Sequence, residues 1–456
     1  MNKHTNHVVI IGAGLTGLTL AFYLRRKGVD CLVLEKDGRP GGVVHTGRQD
    51  GFVYETGPNT GVISNFETTE LFEQLAPHCR MEVANPEAKR RLIWKGGAWH
   101  ALPSGLMAAI KTPLFTRSDK LRILLEPFRK KGKDPMETVA TLVRRRLGES
   151  FLDYAVDPFV SGIFAGDPER LVTRYALPKL YRLEQKYGSF IGGAIGKKVT
   201  DRTPQPSKEV FSAVDGLDTL TNALQKIIGE NRILLNVSDL SVHPKNTESG
   251  YKVSFMQGGL RRETACEVVV STLGSHRLTQ VFPFLDKEKV ARLTSLHYAT
   301  LVQVVLGFKK WQGMPLNAFG GLVPSVEKRR LLGVLFPSAF LSGRAPEGGA
   351  LLNAFLGGER NPHYYKLPDK EIINIVKEET VEMMQLKTFE PDLLKIHRYS
   401  HAIPQYGTDS FKRLEAIMDL QIQHPGLFLA GNIKEGVGMA DRIAQARRLS
   451  ELIEQW

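Results

Sequence analysis

Three glycines, Gly12, Gly14 and Gly17, stand in the spacing G-x-G-x-x-G directly after the β-branched run Val8, Val9, Ile10 and Ile11. They precede an apolar stretch from Leu15 that reads as a helix. A strand turning this sharply into a helix needs one glycine for the turn. It needs a second where main chain meets a phosphate and a third where helix crosses strand. The helix start, with Leu15 and Thr16, then aims N–H groups and the positive end of its dipole at the phosphates. A second run, Cys31 to Leu34, ends in Glu35 with Lys36 beside it. A carboxylate there accepts ribose hydroxyls and disfavours a 2′-phosphate. The chain therefore opens with a dinucleotide-binding α/β unit, and no cleavage site in this run argues for a secretory leader.

The 456 residues are enough for two to four domains. Their 42% hydrophobic and 24% charged composition excludes disordered, collagen-like and coiled-coil chains. No apolar run approaches the ~20 residues of a spanning helix. Cys31, Cys79 and Cys266 form no C-x-x-C and cannot pair evenly, so free thiols in a cytoplasmic, reducing compartment are expected. There is no metal-ligand spacing, and the stretch 192–198 imitates a phosphate loop with the wrong glycine spacing. Linkers are expected at 200–208 and 243–250.

The net charge of +13 is concentrated: fifteen basic residues face five acidic ones between Pro86 and Arg146. Within that segment Leu121, Leu124, Leu125 and Phe128 recur at helical spacing after a cap at Ser118. Lys120, Arg122, Arg129, Lys130 and Lys131 flank them. The pattern predicts a basic amphipathic helix kinked at Pro127, which suits an anionic membrane surface better than nucleic acid and suits core packing equally well. Near the other end, an apolar run stops at Gly431, and Gly436, Val437 and Gly438 precede a helical pattern from Asp441. This second glycine-lined helix start again offers N–H donors to negative charge.

The turn Arg39, Pro40, Gly41 and Gly42 after Glu35 resembles the extended fingerprint of the FAD-containing, amine-oxidase-like flavoproteins, which favours FAD over NAD. Five further stretches, at 55–59, 91–105, 162–167, 319–324 and 401–406, resemble the protoporphyrinogen oxidase family of haem biosynthesis, and the likeness spans nearly the whole chain. The resemblance implies a six-electron oxidation of a porphyrinogen by FAD. Hydride passes to flavin N5, the electrons go on to dioxygen or another acceptor, and no side chain is assigned as a general base. It implies that Gly41 and Gly42 lie against the cofactor, that Arg39 neutralises phosphates, and that Gly57, Pro58 and Asn59 border the flavin. Val237 would sit at the adenine end. It further implies that Arg91 pairs with a substrate propionate, that Phe319 and Leu322 sandwich the macrocycle, and that Gly166 approaches it through its backbone. Asn59 stands at the active-site edge where other members carry arginine or another polar residue. The chain also departs from its relatives at Leu273 and Gly274, where many have proline, and at 441–446, where Ser-Gly is usual.

The implied architecture is an α/β protein with a discontinuous Rossmann-like FAD-binding domain (1–91, 205–274 and 404–456). A mixed-sheet substrate domain is expected at 275–403 and a helical, basic, membrane-facing domain at 92–204. Peripheral contact with the anionic cytoplasmic membrane is expected and nucleic acid is not; a homodimer is compatible. Three alternatives stay open: coproporphyrinogen III as substrate, another flavin amine oxidase or carotenoid desaturase, and a non-enzymatic, FAD-stabilised membrane or nucleic-acid adaptor.

Overall fold

A computed structural model of the chain describes residues 5–103, 106–193, 204–246 and 249–456; the imitation phosphate loop and both expected linkers lie partly outside them. The first strand, β1 (Thr5–Ile11), leads into helix α1 (Leu15–Arg26) and then strand β2 (Cys31–Leu34), as the glycine spacing predicts. β1 pairs in parallel with β2 on one side, Ile10 opposite Val33, and with the strand Leu260–Ser271 on the other, Ile10 opposite Val270. The strands Ile233–Leu234 and Leu427–Leu429 extend this parallel core. Leu260–Ser271 serves two roles along its length. Its exposed first half is antiparallel to Tyr251–Gln257, while the fully buried Val268, Val269 and Val270 run through the parallel core. A strand buried on both faces must be a continuous apolar run, and this half is one.

One seven-stranded sheet is thus assembled from distant parts of the chain. Helix α1 and the helix Met439–Glu454 close it from one side, Leu18 and Phe22 sharing an apolar cluster with Ile443, Ala446 and Leu449. The discontinuous dinucleotide domain is the architecture the two glycine motifs imply.

A second seven-stranded sheet has the order Leu393–Pro404, Tyr298–Phe308, Ala350–Gly357, Gly333–Leu335, Gly320–Leu322, Arg91–Lys95, Ala98–Ala101. Helix Asp369–Met383 covers one face, packing Ile372, Val376 and Met383 on Val304, Leu306, Leu352 and Trp94. Two expected boundaries are corrected here. The hairpin 91–101, divided by the sequence reading between the first FAD segment and the helical domain, belongs to this sheet because Arg91–Lys95 lies parallel to Gly320–Leu322. The residues from Ser275 to Leu296 pack instead against the dinucleotide domain, where Leu278, Phe282 and Leu293 join Val9, Ile417 and Leu427. After the hairpin 91–101, the sheet's next strand in the chain therefore starts at Tyr298, not at 275.

Helices occupy most of 106–193. The expected cap at Ser118 is Thr116, whose Oγ1 accepts from the Asp119 amide at 3.2 Å while the Asp119 carboxylate accepts from the Thr116 amide at 2.9 Å. That helix, Arg117–Leu124, ends rather than kinks before Pro127; residues Glu126–Phe128 form one separate 3₁₀ turn. The turn places Glu126 in the interior against Arg146, both 0% exposed in their side chains. Arg144, Arg145 and Arg146, counted in the basic excess, are all held by carboxylates: Arg144 by Glu149 and Glu169, Arg145 by Glu137 and Glu184, Arg146 by Glu126 and Glu184. Among the described residues no helix is long and apolar enough to cross a membrane. Cys31, Cys79 and Cys266 are free and buried.

Candidate active site

The dinucleotide cradle is built by close main-chain contacts. Gly12 has φ +102°, a left-handed value that favours glycine, and Thr272 Oγ1 donates to the carbonyls of Ile11 and Gly12 at 3.0 and 3.2 Å. A Cβ on Gly17 would stand 2.0 Å from the Gly12 carbonyl oxygen, so helix and strand can pack this closely only with glycine there. A Cβ on Gly14 would meet no protein atom within 4 Å. The turn after β2 folds back beside it: Gly41 donates to the Ala13 carbonyl at 2.8 Å, and a Cβ on Gly42 would be 3.2 Å from Gly14 Cα. Glu35 is buried; its Oε2 accepts from the Ala13 amide at 2.7 Å and its Oε1 from the Asp37 amide at 3.0 Å, which fixes the carboxylate at the turn with lone pairs left over.

Arg39, expected at the phosphates, spends hydrogen bonds on its own turn, donating to the carbonyls of Pro40, Gly42 and Val44. Lys36 is exposed beside Asp37. Val237 places its side chain in the core and its amide on the Glu35 carbonyl at 2.9 Å, so it supports the ribose-side carboxylate.

Two more segments complete the cradle. Gly57 lies so close to the Arg39–Val44 turn that a Cβ would be 1.8 Å from the Val43 carbonyl oxygen, and the Val43 side chain is 68% exposed. At the far end Gly431, with φ +86°, donates to Gln445 Oε1 at 2.8 Å, and Gly438 caps Met439–Glu454, donating to Asp441 at 3.3 Å. The departing segment 441–446 is thus engaged in holding the glycine turn. Val437 packs between two apolar clusters. Open space beside Gly14 and an uncovered valine at the Gly42–Gly57 seam are what a pyrophosphate and a flat apolar ring would fill. The residues fit FAD.

The uncovered face of the second sheet looks onto this cradle. Alternation assigns the faces: Leu92 and Trp94 pack under helix Asp369–Met383, so Arg91 and Ile93 point the other way. Val305 and Leu351 likewise meet Phe52 and Tyr54 of the dinucleotide side. Polar residues that the sequence reading missed tie this face to the flavin-border loop. Gln303 Nε2 donates to the Glu55 carbonyl at 2.8 Å, and the Tyr399 hydroxyl donates to the Thr56 carbonyl. Asn353 Nδ2 donates to Asn59 Oδ1, while Asn59 Nδ2 donates to the Gly57 carbonyl at 3.3 Å.

Glu55 itself is buried. Burial pushes its carboxyl up, against the pull of the Leu217 amide, the Thr46 hydroxyl and the Arg344 guanidinium at 3.2 Å. None of these has a local sequence signal, because each partner lies far along the chain; only the quoted stretch 55–59 marks the loop they hold.

Asn353, Leu335, Gly320 and Arg91 are register partners in one row across four strands, so Arg91 stands roughly 14 Å from Asn353 at ~4.8 Å per strand. Arg91 is exposed and has no ion-pair partner among the described residues. Leu322 packs with Ile93, Phe115 and Tyr154 on the same face, under Gly162 of the helix Asp157–Phe164, and Gly166 follows that helix end. Phe319 is corrected. It lies just before the strand Gly320–Leu322 and stacks on Phe340, centroids 4.2 Å apart, in a different apolar cluster from Leu322.

Residues 15–453 match the family of flavin containing amine oxidoreductases. The chain belongs to this family. It is an FAD-dependent oxidoreductase. Within the flavin containing amine oxidoreductases, the mitochondrial protoporphyrinogen oxidase of Nicotiana tabacum is 30% identical, covering 99% of this chain and 96% of its own. The coproporphyrinogen III oxidase of Bacillus subtilis (strain 168) is 26% identical over 98% of this chain and 97% of its own. Among solved structures, a candidate protoporphyrinogen oxidase from Exiguobacterium sp. 255-15 superimposes with a TM-score of 0.82 at 23% identity, covering 100% of both chains.

Proposed function

We propose that this flavoenzyme oxidises protoporphyrinogen IX to protoporphyrin IX in haem biosynthesis, with dioxygen as the acceptor. The observation that carries the reading is the sheet row from Asn353, against the flavin-border loop, to the unpaired Arg91. Its length matches a tetrapyrrole from ring edge to opposite propionate, and Gly320, next to Arg91 in the row, adds no side chain between Arg91 and Leu335. The tobacco relative supports the substrate class.

When bound, FAD would accept two electrons per cycle, as a hydride, and pass them on. The chain's own residues supply the rest. Arg91 anchors a propionate through a planar, always charged fork. Leu322, backed by the buried Ile93, packs on the macrocycle and keeps water out, and Asn59, held by Gly57 and Asn353, sets the loop edge where a meso carbon would meet the flavin.

Anaerobic mixing of the yellow protein with protoporphyrinogen IX is expected to bleach the flavin and raise porphyrin fluorescence. Faster bleaching by coproporphyrinogen III would select the reaction named for the Bacillus relative. No bleaching by either would sink the porphyrinogen reading.

Membrane contact is proposed on the helical segment. Leu121, Leu124, Leu125 and Phe128 are 58%, 64%, 46% and 85% exposed, and Arg117, Lys130 and Lys131 are exposed among them. A patch of apolar side chains ringed by cations suits the interface of an anionic leaflet. The protein is expected to float with phosphatidylglycerol-containing vesicles and less with phosphatidylcholine alone. Phe128→Asp should weaken that binding roughly tenfold or more, the partition of one large apolar side chain. Equal flotation of both proteins would place the membrane contact elsewhere.

A further inference from the structure

We propose that Gln405 contacts the substrate, its Oε1 accepting a hydrogen bond from a pyrrole N–H of the reduced macrocycle. The inference rests on the porphyrinogen reading and adds a residue that sets preference for substrate over product. The orientation of this carboxamide is determined by its neighbours. Nε2 donates to the Phe164 carbonyl at 2.8 Å and to the Ile403 carbonyl at 3.0 Å. Both partners only accept, so the amide cannot be turned over and the oxygen must point the other way. The residue is 8% exposed, and Oε1 has no hydrogen-bond partner among the described residues. A buried acceptor left empty is costly, and such an atom in a folded protein calls for a ligand or a water.

Its surroundings favour a ligand. Oε1 stands 2.7 Å from where a Cβ on Gly166 would be, beside Leu171 and Phe164, so glycine at 166 is what keeps a further side chain off the oxygen. Gly166 ends the stretch that covers Leu322, itself on the macrocycle face. On its other flank Gln405 is followed by Tyr406, whose hydroxyl donates to the carbonyls of Asn432 at 2.8 Å and Gly436 at 3.3 Å in the C-terminal cofactor segment. The Gln405 amide is itself fixed by the His297 carbonyl at 2.9 Å. The empty acceptor thus lies between the cofactor segment and the helix end over the macrocycle face.

The chemistry of the two tetrapyrroles gives this position its meaning. A porphyrinogen presents four pyrrole N–H donors, whereas the porphyrin keeps two and offers two imine nitrogens that only accept. A rigid acceptor therefore meets a donor at any rotation of the substrate and faces a lone pair in half the orientations of the product. The contact favours binding before oxidation and release after it.

The test uses holoenzyme and two variants. Gln405→Met removes the acceptor. Gly166→Ala keeps both anchoring bonds of Gln405 but puts a methyl in front of its oxygen. Each is expected to raise KM for protoporphyrinogen about five- to tenfold, the range of a single lost hydrogen bond. The dissociation constant of protoporphyrin, read by fluorescence, should change less than about twofold over the same comparison. Wild-type turnover with KM unchanged in Gly166→Ala would overturn the inference alone, leaving an ordered water as the partner of Oε1. Equal losses for substrate and product would overturn it as well, by reducing the effect to pocket shape. A wild-type flavin that neither porphyrinogen bleaches would overturn the functional reading and this inference together.

Discussion

Gly14→Ala is expected to give a folded but colourless protein, and Gly57→Ala one that loses both colour and stability. The difference follows from what the added methyl meets. At Gly14 it meets no protein atom within 4 Å and enters only the space assigned to the pyrophosphate. FAD affinity should therefore fall roughly ten- to a hundredfold while the thermal midpoint of the FAD-free protein stays near wild type. At Gly57 the methyl would sit 1.8 Å from the Val43 carbonyl oxygen, so two cofactor-lining segments must part before any ligand arrives. Overpacking of this kind costs about 1–3 kcal/mol in the FAD-free protein, read from the urea midpoint, in addition to the lost flavin. Retention of stoichiometric FAD by Gly14→Ala through gel filtration would show that the phosphates lie elsewhere.

The second large effect is expected at Arg146. Its guanidinium donates from Nε to Glu126 at 2.7 Å and from Nη1 to Glu184 at 3.2 Å, and Glu126 also accepts from the Ser189 hydroxyl and the amides of Phe190 and Ile191. Arg146→Ala leaves the Glu126 carboxylate buried without its cation, and removal of one partner of such a pair costs about 3–5 kcal/mol. Arg144→Ala two positions earlier, on a partly exposed pair, should cost at most ~1 kcal/mol. Urea titrations of the two variants check the contrast. A similar small shift for both would mean that the Arg146 network is hydrated in solution. Because Arg146 ends the helix Val139–Arg146, whose Val139 and Val143 pack on Val160 and Phe164 of the helix that carries Gly162, a slack Arg146 variant should also show a raised KM at temperatures where it is still folded.

The parts of the molecule readable from the chain were those in which chemistry is written locally. Gly12, Gly14, Gly17 and Glu35 announce their turn, helix and carboxylate within one short span, and the structure has them there. Arg91–Lys95 was marked only by the family-like stretch 91–105, and nothing in it names Gly320–Leu322 as its neighbour. Pairing between distant segments is decided by complementarity of whole faces, which periodicity does not encode. Charge misled for the same reason. Arg144, Arg145 and Arg146 look like a solvated face until their acidic partners, scattered from Glu126 to Glu184, are brought around them. Phe319 and Leu322 share a motif, yet Phe319 precedes the strand and joins a different apolar cluster. Gln303, Tyr399, Arg344 and Gln405 matter through hydrogen bonds to groups remote in the chain, and isolated polar residues of this kind carry no pattern.

The division of the cofactor cradle among distant segments also sets an order of events during synthesis. β1 and α1 leave the ribosome well before the strand at 260–271 that pairs with β1 and the helix at 439–454 that covers α1. Until those arrive, one edge of β1 and the apolar side of α1 have no permanent cover. The exposed apolar surface of such an early chain is prone to misassembly, and the cradle for FAD is complete only once residues 439–454 have been made. Supply of flavin at that late moment decides how much of each newly made chain becomes active enzyme.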